Sequence, residues 1–415
     1  MQTDADVIVA GGGLAGLAAA ATAARAGSRV LLLEAHHPGG RARSVERDGY
    51  ILNRGAHALF VGGPGQAVLR SLGVAARGAA PPLRQYRALS DGRLHPLPTG
   101  PTSFLRTGAV GARGKAQLIR LLARMPRLRT APLATTPVAA WLADARLRPD
   151  AESVVRALIR LATYTADVDD FSADAALSQL QLATAGGVLY LDGGWSQLVD
   201  ALAVLVDVRT GTEVTGVDRV GDRVEVRTSE GVLLAHQVVV ATGTPAAVQR
   251  VLPVDPGWGE LGPPLTAACL DLGVERVPDP GYVLSLDGPL YVTVQSPPAR
   301  QAPPGHAVVA AIRYGARSAD EDRPELERMA VEAGVVPGEV VTRRFLAHLP
   351  VAGAVPRAGR GGLAGRPGIG DTGVPGVVMA GDWVGPAGLL ADAALASGSA
   401  AGRLVGGAAT GPAPW

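Results

Sequence analysis

The sequence predicts an α/β protein in which one discontinuous parallel-sheet domain is joined to an α+β domain of mixed sheet and helices. Three observations carry that reading. The apolar run Val7-Ile8-Val9-Ala10 leads directly into Gly11-Gly12-Gly13-Leu14-Ala15-Gly16, a G-x-G-x-x-G loop one strand from the N-terminus. Glu34 closes the next apolar run about 20 residues beyond that loop, where a dinucleotide fold places its ribose-binding acid. Strand-like and glycine-rich segments of the same character then recur near 190–243 and 377–398, with helical and alternating stretches between them. The first domain is therefore expected to be Rossmann-like, and its segments to be scattered along the chain.

Each element follows from its residues. Gly11 allows the tight strand-to-helix turn, Gly13 lets a pyrophosphate approach the backbone, and Gly16 lets the helix pack closely on the sheet. The helix that begins at Leu14 and Ala15 is rich in alanine through Ala26, and its N-terminal amides and positive dipole end face the phosphates. Gly27 ends it. Arg29-Val30-Leu31-Leu32-Leu33 is the second strand, with Glu34 and Ala35 at its end. A second glycine cluster follows, Gly39-Gly40-Arg41-Ala42-Arg43-Ser44, and then Asn53-Arg54-Gly55-Ala56-His57.

From about 81 to 181 the pattern changes to helices with proline breaks, for example 115–125 and 151–162. The segment Tyr190-Leu191-Asp192-Gly193-Gly194-Trp195 returns the chain to the first domain. Strands are expected at 212–217, 223–228 and 232–240, the last closed by Ala241-Thr242-Gly243. Residues 265–345 read as alternating strands with one charged helix near 320–333, and the glycine-rich piece 359–370 reads as a loop. The domain division that results is 1–75, 190–264 and 346–415 for the dinucleotide domain, and 76–189 with 265–345 for the substrate domain.

Composition narrows the class. At 415 residues and 47% hydrophobic content the chain can bury a large core in two domains. A net charge of +2 does not argue for nucleic acid. Cys269 is the only cysteine, which excludes both a disulfide framework and a redox-active cysteine pair. No apolar stretch has the length of a bilayer span. The first strand starts within a few residues, which leaves no room for a signal peptide and points to a cytoplasmic enzyme. No histidine–carboxylate spacing suggests a metal site.

Together the glycine loop, Glu34, the Gly39-Gly40-Arg41 cluster, Met379-Ala380-Gly381-Asp382-Trp383 and Ala394-Leu395-Ala396-Ser397-Gly398 resemble the FAD-dependent family of flavin amine oxidases, protoporphyrinogen oxidase and phytoene desaturases. The resemblance implies a Rossmann-like FAD-binding domain and an FAD-dependent oxidoreductase. Glu34 would hold the adenosine ribose, and Arg41, flanked by Gly40 and Ala42, would approach the pyrophosphate. Val214 would contact adenine through its backbone, with Ala241 and Thr242 against the adenosine side. Gly381 and Asp382 would meet the ribityl or pyrophosphate region. The helix starting near Asp392, including Ala393, would aim its amides at the flavin O2 edge, where reduced flavin carries negative charge.

Two departures narrow the activity. Amine oxidases of the family place a lysine near flavin N5 and aromatic rings beside the flavin. Here Lys115, the only lysine, falls in the helical substrate region, and Leu389-Leu390 occupy a stretch where an aromatic is expected. Covalent members attach flavin through a cysteine near that stretch; none stands there, so the FAD is expected to be non-covalent.

Hydride transfer to flavin asks the protein mainly for orientation, water exclusion and tuned electrostatics. His57 is the catalytic candidate, because the family runs this segment beside the isoalloxazine and a neutral imidazole there would orient substrate or take a proton. Its alternative is a histidine that bonds loop backbone. Trp195 would line the floor of the site, and Trp383 would either border the flavin or pack. Tyr164, Asp167, Asp169 and Asp170 fall in the roof region and are expected in a solvated loop. His36 and His37 fit adenosine contacts or solvent.

The segment 104–129 interleaves seven cations with leucines and carries no acid. It fits either peripheral contact with an anionic membrane surface or an ordinary amphipathic helix. The expected reaction is removal of a hydride from a C–C or C–N bond of an apolar small molecule, as in a desaturase or a biosynthetic oxidase, with oxygen or another acceptor reoxidising the flavin. The alternatives are an amine or amino-acid oxidase, and a non-enzymatic binding protein like the GDP-dissociation inhibitors.

Overall fold

The computed structural model describes residues 3–166 and 168–407. Its first sheet is built on five parallel strands in the order Asp207–Thr210, Val30–Glu34, Ala5–Ala10, Gly231–Val240 and Val377–Met379. Val30–Glu34, Ala5–Ala10 and Val377–Met379 are largely apolar and buried, as strands covered on both faces must be, whereas Gly231–Val240 is buried only at Ala235 and at its inner end Val238–Val240. An antiparallel pair, Val214–Val220 and Arg223–Thr228, extends the sheet from the edge of Gly231–Val240. The second falls where expected, while the first begins two residues after the start of the expected 212–217 and runs three residues past its end. The parallel order places the N-terminal strand in the centre, so its glycine loop opens at the carboxyl ends of the strands, where such sheets bind ligands.

Helix Leu14–Arg25 packs on this sheet, and the C-terminal helix Leu390–Gly407 packs on Leu14–Arg25. Gly398, Gly402 and Gly406 stand four residues apart along the contact. A Cβ would come within 2.2 Å of the Ala15 carbonyl oxygen at Gly398 and 2.3 Å of the Ala19 oxygen at Gly402. The absent side chains let the two backbones touch, and that contact brings the last described helix to the first glycine loop.

The second sheet runs Val340–Ala352, Leu265–Val274, Ala307–Tyr314, Leu290–Val294, Val283–Ser285, Arg87–Ser90 and Arg93–Pro96. Strand Val340–Ala352 stays in this sheet through Ala352, past residue 345 where the sequence reading ended the substrate domain. Helix Ala319–Glu332 covers one face; its N-terminus carries the Ser318–Glu321 capping box, and buried Asp322 pairs with Arg313 and Arg317. On the other side helices Ala112–Arg124, Pro149–Thr163 and Ala173–Gly186 form a roof. Pro149 opens its helix with Asp150 and Glu152 in the first turn, and Tyr164 ends it in the left-handed region at φ 60°.

The basic helix of the roof turns much of its apolar side inward. Leu118 and Met125 are buried and Leu122 lines the central cavity, while Ile119 stays half exposed. Among the described residues no helix is long and apolar enough to cross a membrane.

Candidate active site

A cavity of about 1880 Å³ runs from the glycine loop of the first sheet to the inner face of the second. At the dinucleotide end, Gly11 has φ +105°, and a Cβ there would lie 2.5 Å from the Ala241 oxygen. A Cβ at Gly16 would lie 1.9 Å from the Gly11 oxygen, so that glycine serves packing and does not line the cavity. Over Gly13 there is open space. Helix geometry leaves the first N–H groups of Leu14–Arg25 without intrahelical partners, and Leu14 and Ala15 line the cavity.

The Glu34 carboxylate accepts from Gly12 N–H at 2.7 Å and His36 N–H at 2.9 Å, which fixes it at the mouth of the loop with lone pairs to spare. Gly39 N–H donates to the Gly12 oxygen at 2.7 Å, joining the two glycine clusters. Ala35, Gly40, Arg41, Ala42, Val214, Ala241, Thr242, Gly381 and Asp382 all line the same space. Ala393 does not. It is fully buried, one helical step off the lining face, and Ala391, Asp392 and Ala394 face the cavity in its place.

One ion pair clasps the ends of the chain. Arg41 donates to both Asp382 oxygens at 2.8 and 2.9 Å, and Gly353 N–H adds a third bond at 3.1 Å. Asp382, expected to face the ribityl or pyrophosphate region, thus commits its carboxylate to holding Arg41 and the 353 loop. Arg366 escaped the sequence reading altogether, because it sits in a glycine-rich loop. Its buried guanidinium donates to the Asp382 and Gly388 carbonyls and ties the 382 and 388 turns together. Burial pulls its pKa down to about 10, with Asp382 opposing.

Asp392 caps a neighbouring helix: its Oδ1 accepts from Gly65 N–H at 2.8 Å in the first turn of Pro64–Ser71, while Oδ2 is buried without a partner. Burial raises its pKa to about 6, with the Gly65 bond opposing. A raised carboxyl pKa means the folded state holds a proton that the unfolded state loses near 3.9. The stabilisation is complete below about pH 4 and is lost as pH rises through 6, a change of about 3 kcal/mol. Asp392→Asn is therefore expected to flatten the fall in Tm between about pH 4 and 7 in the FAD-loaded protein. Parallel pH profiles for variant and parent would contradict it.

Deeper in, His57 lines the cavity with its ring 5.1 Å from that of Trp195. Its Nδ1 lies 3.0 Å from the Gly55 carbonyl, which can only accept, so Nδ1 carries the hydrogen and Nε2 is left as an acceptor. Burial pushes the pKa below its usual 6.5, Arg41 and Arg344 add to that, and the Gly55 and Arg41 carbonyls oppose it. The imidazole is neutral at pH 7. Beneath this segment Arg344 reaches both the Asn53 carbonyl and Asp271, the latter at 2.6 Å, and the Cys269 thiol donates to Asp271 at 3.3 Å. Burial holds the thiol well above its ordinary range.

The far half of the cavity is walled by the second sheet and the roof helices. Tyr86, Tyr190 and Tyr291 share hydroxyl contacts of 3.1–3.4 Å, and Tyr190 reaches Thr293 at 2.7 Å. Tyr164 corrects the sequence reading: it lies in no solvated loop but lines the chamber, its hydroxyl donating to the Ala56 carbonyl at 2.8 Å. Asp170 pairs with Arg357 at 2.7 Å away from the chamber, and Asp167 lies outside the described residues. Trp383 is buried against Trp258 and donates to the Gly243 carbonyl, a packing role. Lys115 is half-buried outside the cavity and donates to the Leu105 carbonyl. Leu390, at φ 54°, lines the cavity where an aromatic was expected.

The sequence signature of the flavin containing amine oxidoreductases matches residues 14–275. The chain belongs to that family. It is accordingly an FAD-dependent oxidoreductase, and its glycine loop, Glu34 and open space over Gly13 fit that cofactor. Among curated protein sequences none matches. Solved structures resemble it over nearly their whole length. An oxidoreductase from Methanosarcina mazei superposes with a TM-score of 0.74 at 18% identity, covering 95% of this chain and 99% of that one. Putrescine oxidase bound to putrescine gives 0.73 at 17%, with 97% and 98% covered. Cyclohexylamine oxidase from Brevibacterium oxydans gives 0.74 at 16%, with 98% and 99% covered. At these identities the likeness extends to the fold.

Proposed function

We propose that this member of the family removes a hydride from a C–C or C–N bond of an uncharged, apolar small molecule, with His57 as the proton acceptor. The observation that carries the proposal is the continuity of one cavity from the dinucleotide loop to a chamber whose walls bear no charge. Among the described residues, those from 80–188 and 267–312 that line it include no Asp, Glu, Lys or Arg. A buried unpaired charge is costly to desolvate, so such walls select a neutral substrate.

Gly11, Gly13, Leu14 and Ala15 would cradle the pyrophosphate and Glu34 the ribose, while Arg41, held by Asp382, frames the passage between the two halves. Bound FAD supplies a two-electron acceptor for the hydride and passes the electrons on to oxygen or another oxidant. His57 takes the accompanying substrate proton on Nε2, its ring fixed by Gly55 and Trp195. The tyrosine-lined walls hold the substrate and exclude water. Cys269 is bonded to Asp271, which favours a non-covalent FAD.

The C–N version keeps an amine oxidase in view, supported by family membership. Against it stand the absence of lysine from the chamber and of any carboxylate to receive an ammonium group. Mass spectrometry of products from a panel of neutral cyclic compounds tests the reaction type. Products two hydrogens lighter than their substrates are expected, and oxygen insertion would overturn the proposal. Glu34→Ala is expected to weaken FAD binding about 10- to 100-fold, the loss of charge-assisted bonds, in an equilibrium titration. Unchanged affinity would remove the ribose role.

A further inference from the structure

We propose that Gln295 is the polar anchor of the chamber, and that the substrate carries a neutral group with both a donor and an acceptor, such as a carboxamide, lactam or hydroxyl. The inference rests on the reading of the chamber as the substrate site. Tyr291, Thr293 and Gln295 alternate along one strand and its extension, so they share a face. Gln295 keeps the register one step beyond strand Leu290–Val294 through its N–H to the Val308 carbonyl at 2.8 Å. All three residues line the cavity.

Their hydroxyls are accounted for within the tyrosine cluster, Tyr190 bonding Thr293 and Tyr291 bonding Tyr86. The Gln295 carboxamide is not. The residue is 2% exposed, yet neither its Oε1 nor its Nε2 has a partner. The buried amides Asn53 and Gln301 each keep one end bonded and leave the other free: Asn53 accepts from Ser44 and the Trp195 N–H, and Gln301 donates to the Leu191 carbonyl. A sequestered carboxamide with both ends free costs stability, and an incoming group that bonds both ends recovers it.

The chemistry of that group follows. A carboxamide presents one acceptor and two donors, so its complement donates and accepts together. The Tyr190 and Thr293 hydroxyls beside it can turn either way. With no cation on the walls from 80–188 and 267–312, a carboxylate seated there goes uncompensated, and with no carboxylate there an ammonium does too.

The test uses the FAD-loaded protein and four probes on one ring: cyclohexanecarboxamide, cyclohexanecarboxylate, cyclohexylmethylamine and methylcyclohexane. Binding is read from the perturbed flavin absorbance. The parent should bind the carboxamide about tenfold more tightly than the other three, and Gln295→Leu should abolish that preference while keeping its FAD. In the absence of any probe, Gln295→Leu should also raise Tm by about 1–3 °C, since it removes an unsatisfied buried group. A parent that shows no carboxamide preference, including one that binds none of the probes, overturns the inference. So does a Leu variant that retains the preference, or one that loses FAD and melts lower. Failure of the protein to dehydrogenate any neutral compound would count instead against the hydride-transfer reading, and the binding comparison tells the two failures apart.

Discussion

Asp382→Ala should release FAD and destabilise the protein together. The carboxylate is 2% exposed and holds Arg41 through two bonds, with Gly353 on the same oxygen. Removing it leaves the guanidinium without its counter-ion, held only by the Val351 carbonyl at 2.7 Å, at the passage between the cavity halves. Breaking a buried pair typically costs 3–5 kcal/mol, and the partial exposure of Arg41 places this case at about 3 kcal/mol. Arg41→Ala should lose FAD as well but should destabilise more, because it strands the more deeply buried carboxylate. Thermal unfolding with and without added FAD checks both variants. An Asp382→Ala protein that melts like its parent and keeps its flavin would show that the clasp does not hold the site.

His57→Ala should slow flavin reduction by about a hundred- to ten-thousand-fold, the usual range for a positioned base, with FAD affinity unchanged. The sign of the pH dependence follows from the lowered pKa. Nε2 accepts protons only when neutral, so the reductive rate should hold through neutral pH and fall below a midpoint under the ordinary 6.5. The variant should lack that limb. His57→Gln should not restore it, because a carboxamide orients but does not take a proton. A variant that reduces flavin at the parental rate would return His57 to a packing role against Trp195.

Much of the dinucleotide half was legible because its signals are local. The turn at Gly11, the packing of Gly16 and the placing of Glu34 each depend on residues within one strand–loop–helix unit, and each stands where its spacing requires. The helix at 390–407 was read from small residues near its start, yet its lining face was off by one residue at Ala393, since helix phase is set by the contact with Leu14–Arg25.

The substrate half was much less legible because its contacts are distant in sequence. Arg87–Ser90 pairs in parallel with Val283–Ser285, a match that no local pattern encodes. Tyr164 reached the chamber because its helix ends in a left-handed residue and its ring packs edge-on against Tyr314. Arg366 went unread within the 359–370 loop, because its partners are the backbone carbonyls of Asp382 and Gly388, which no local pattern signals. Asp271 and Arg344 carried no signal in the sequence, because only the pairing of their strands buries them against each other beneath Gly55.

Anaerobic mixing of FAD-loaded protein with neutral cyclic compounds and with permanently charged analogues of the same size tests the central claim most directly. An uncharged chamber opening on the dinucleotide site predicts that neutral compounds bleach the flavin and charged ones leave it oxidised. Bleaching by the charged analogues alone would contradict it.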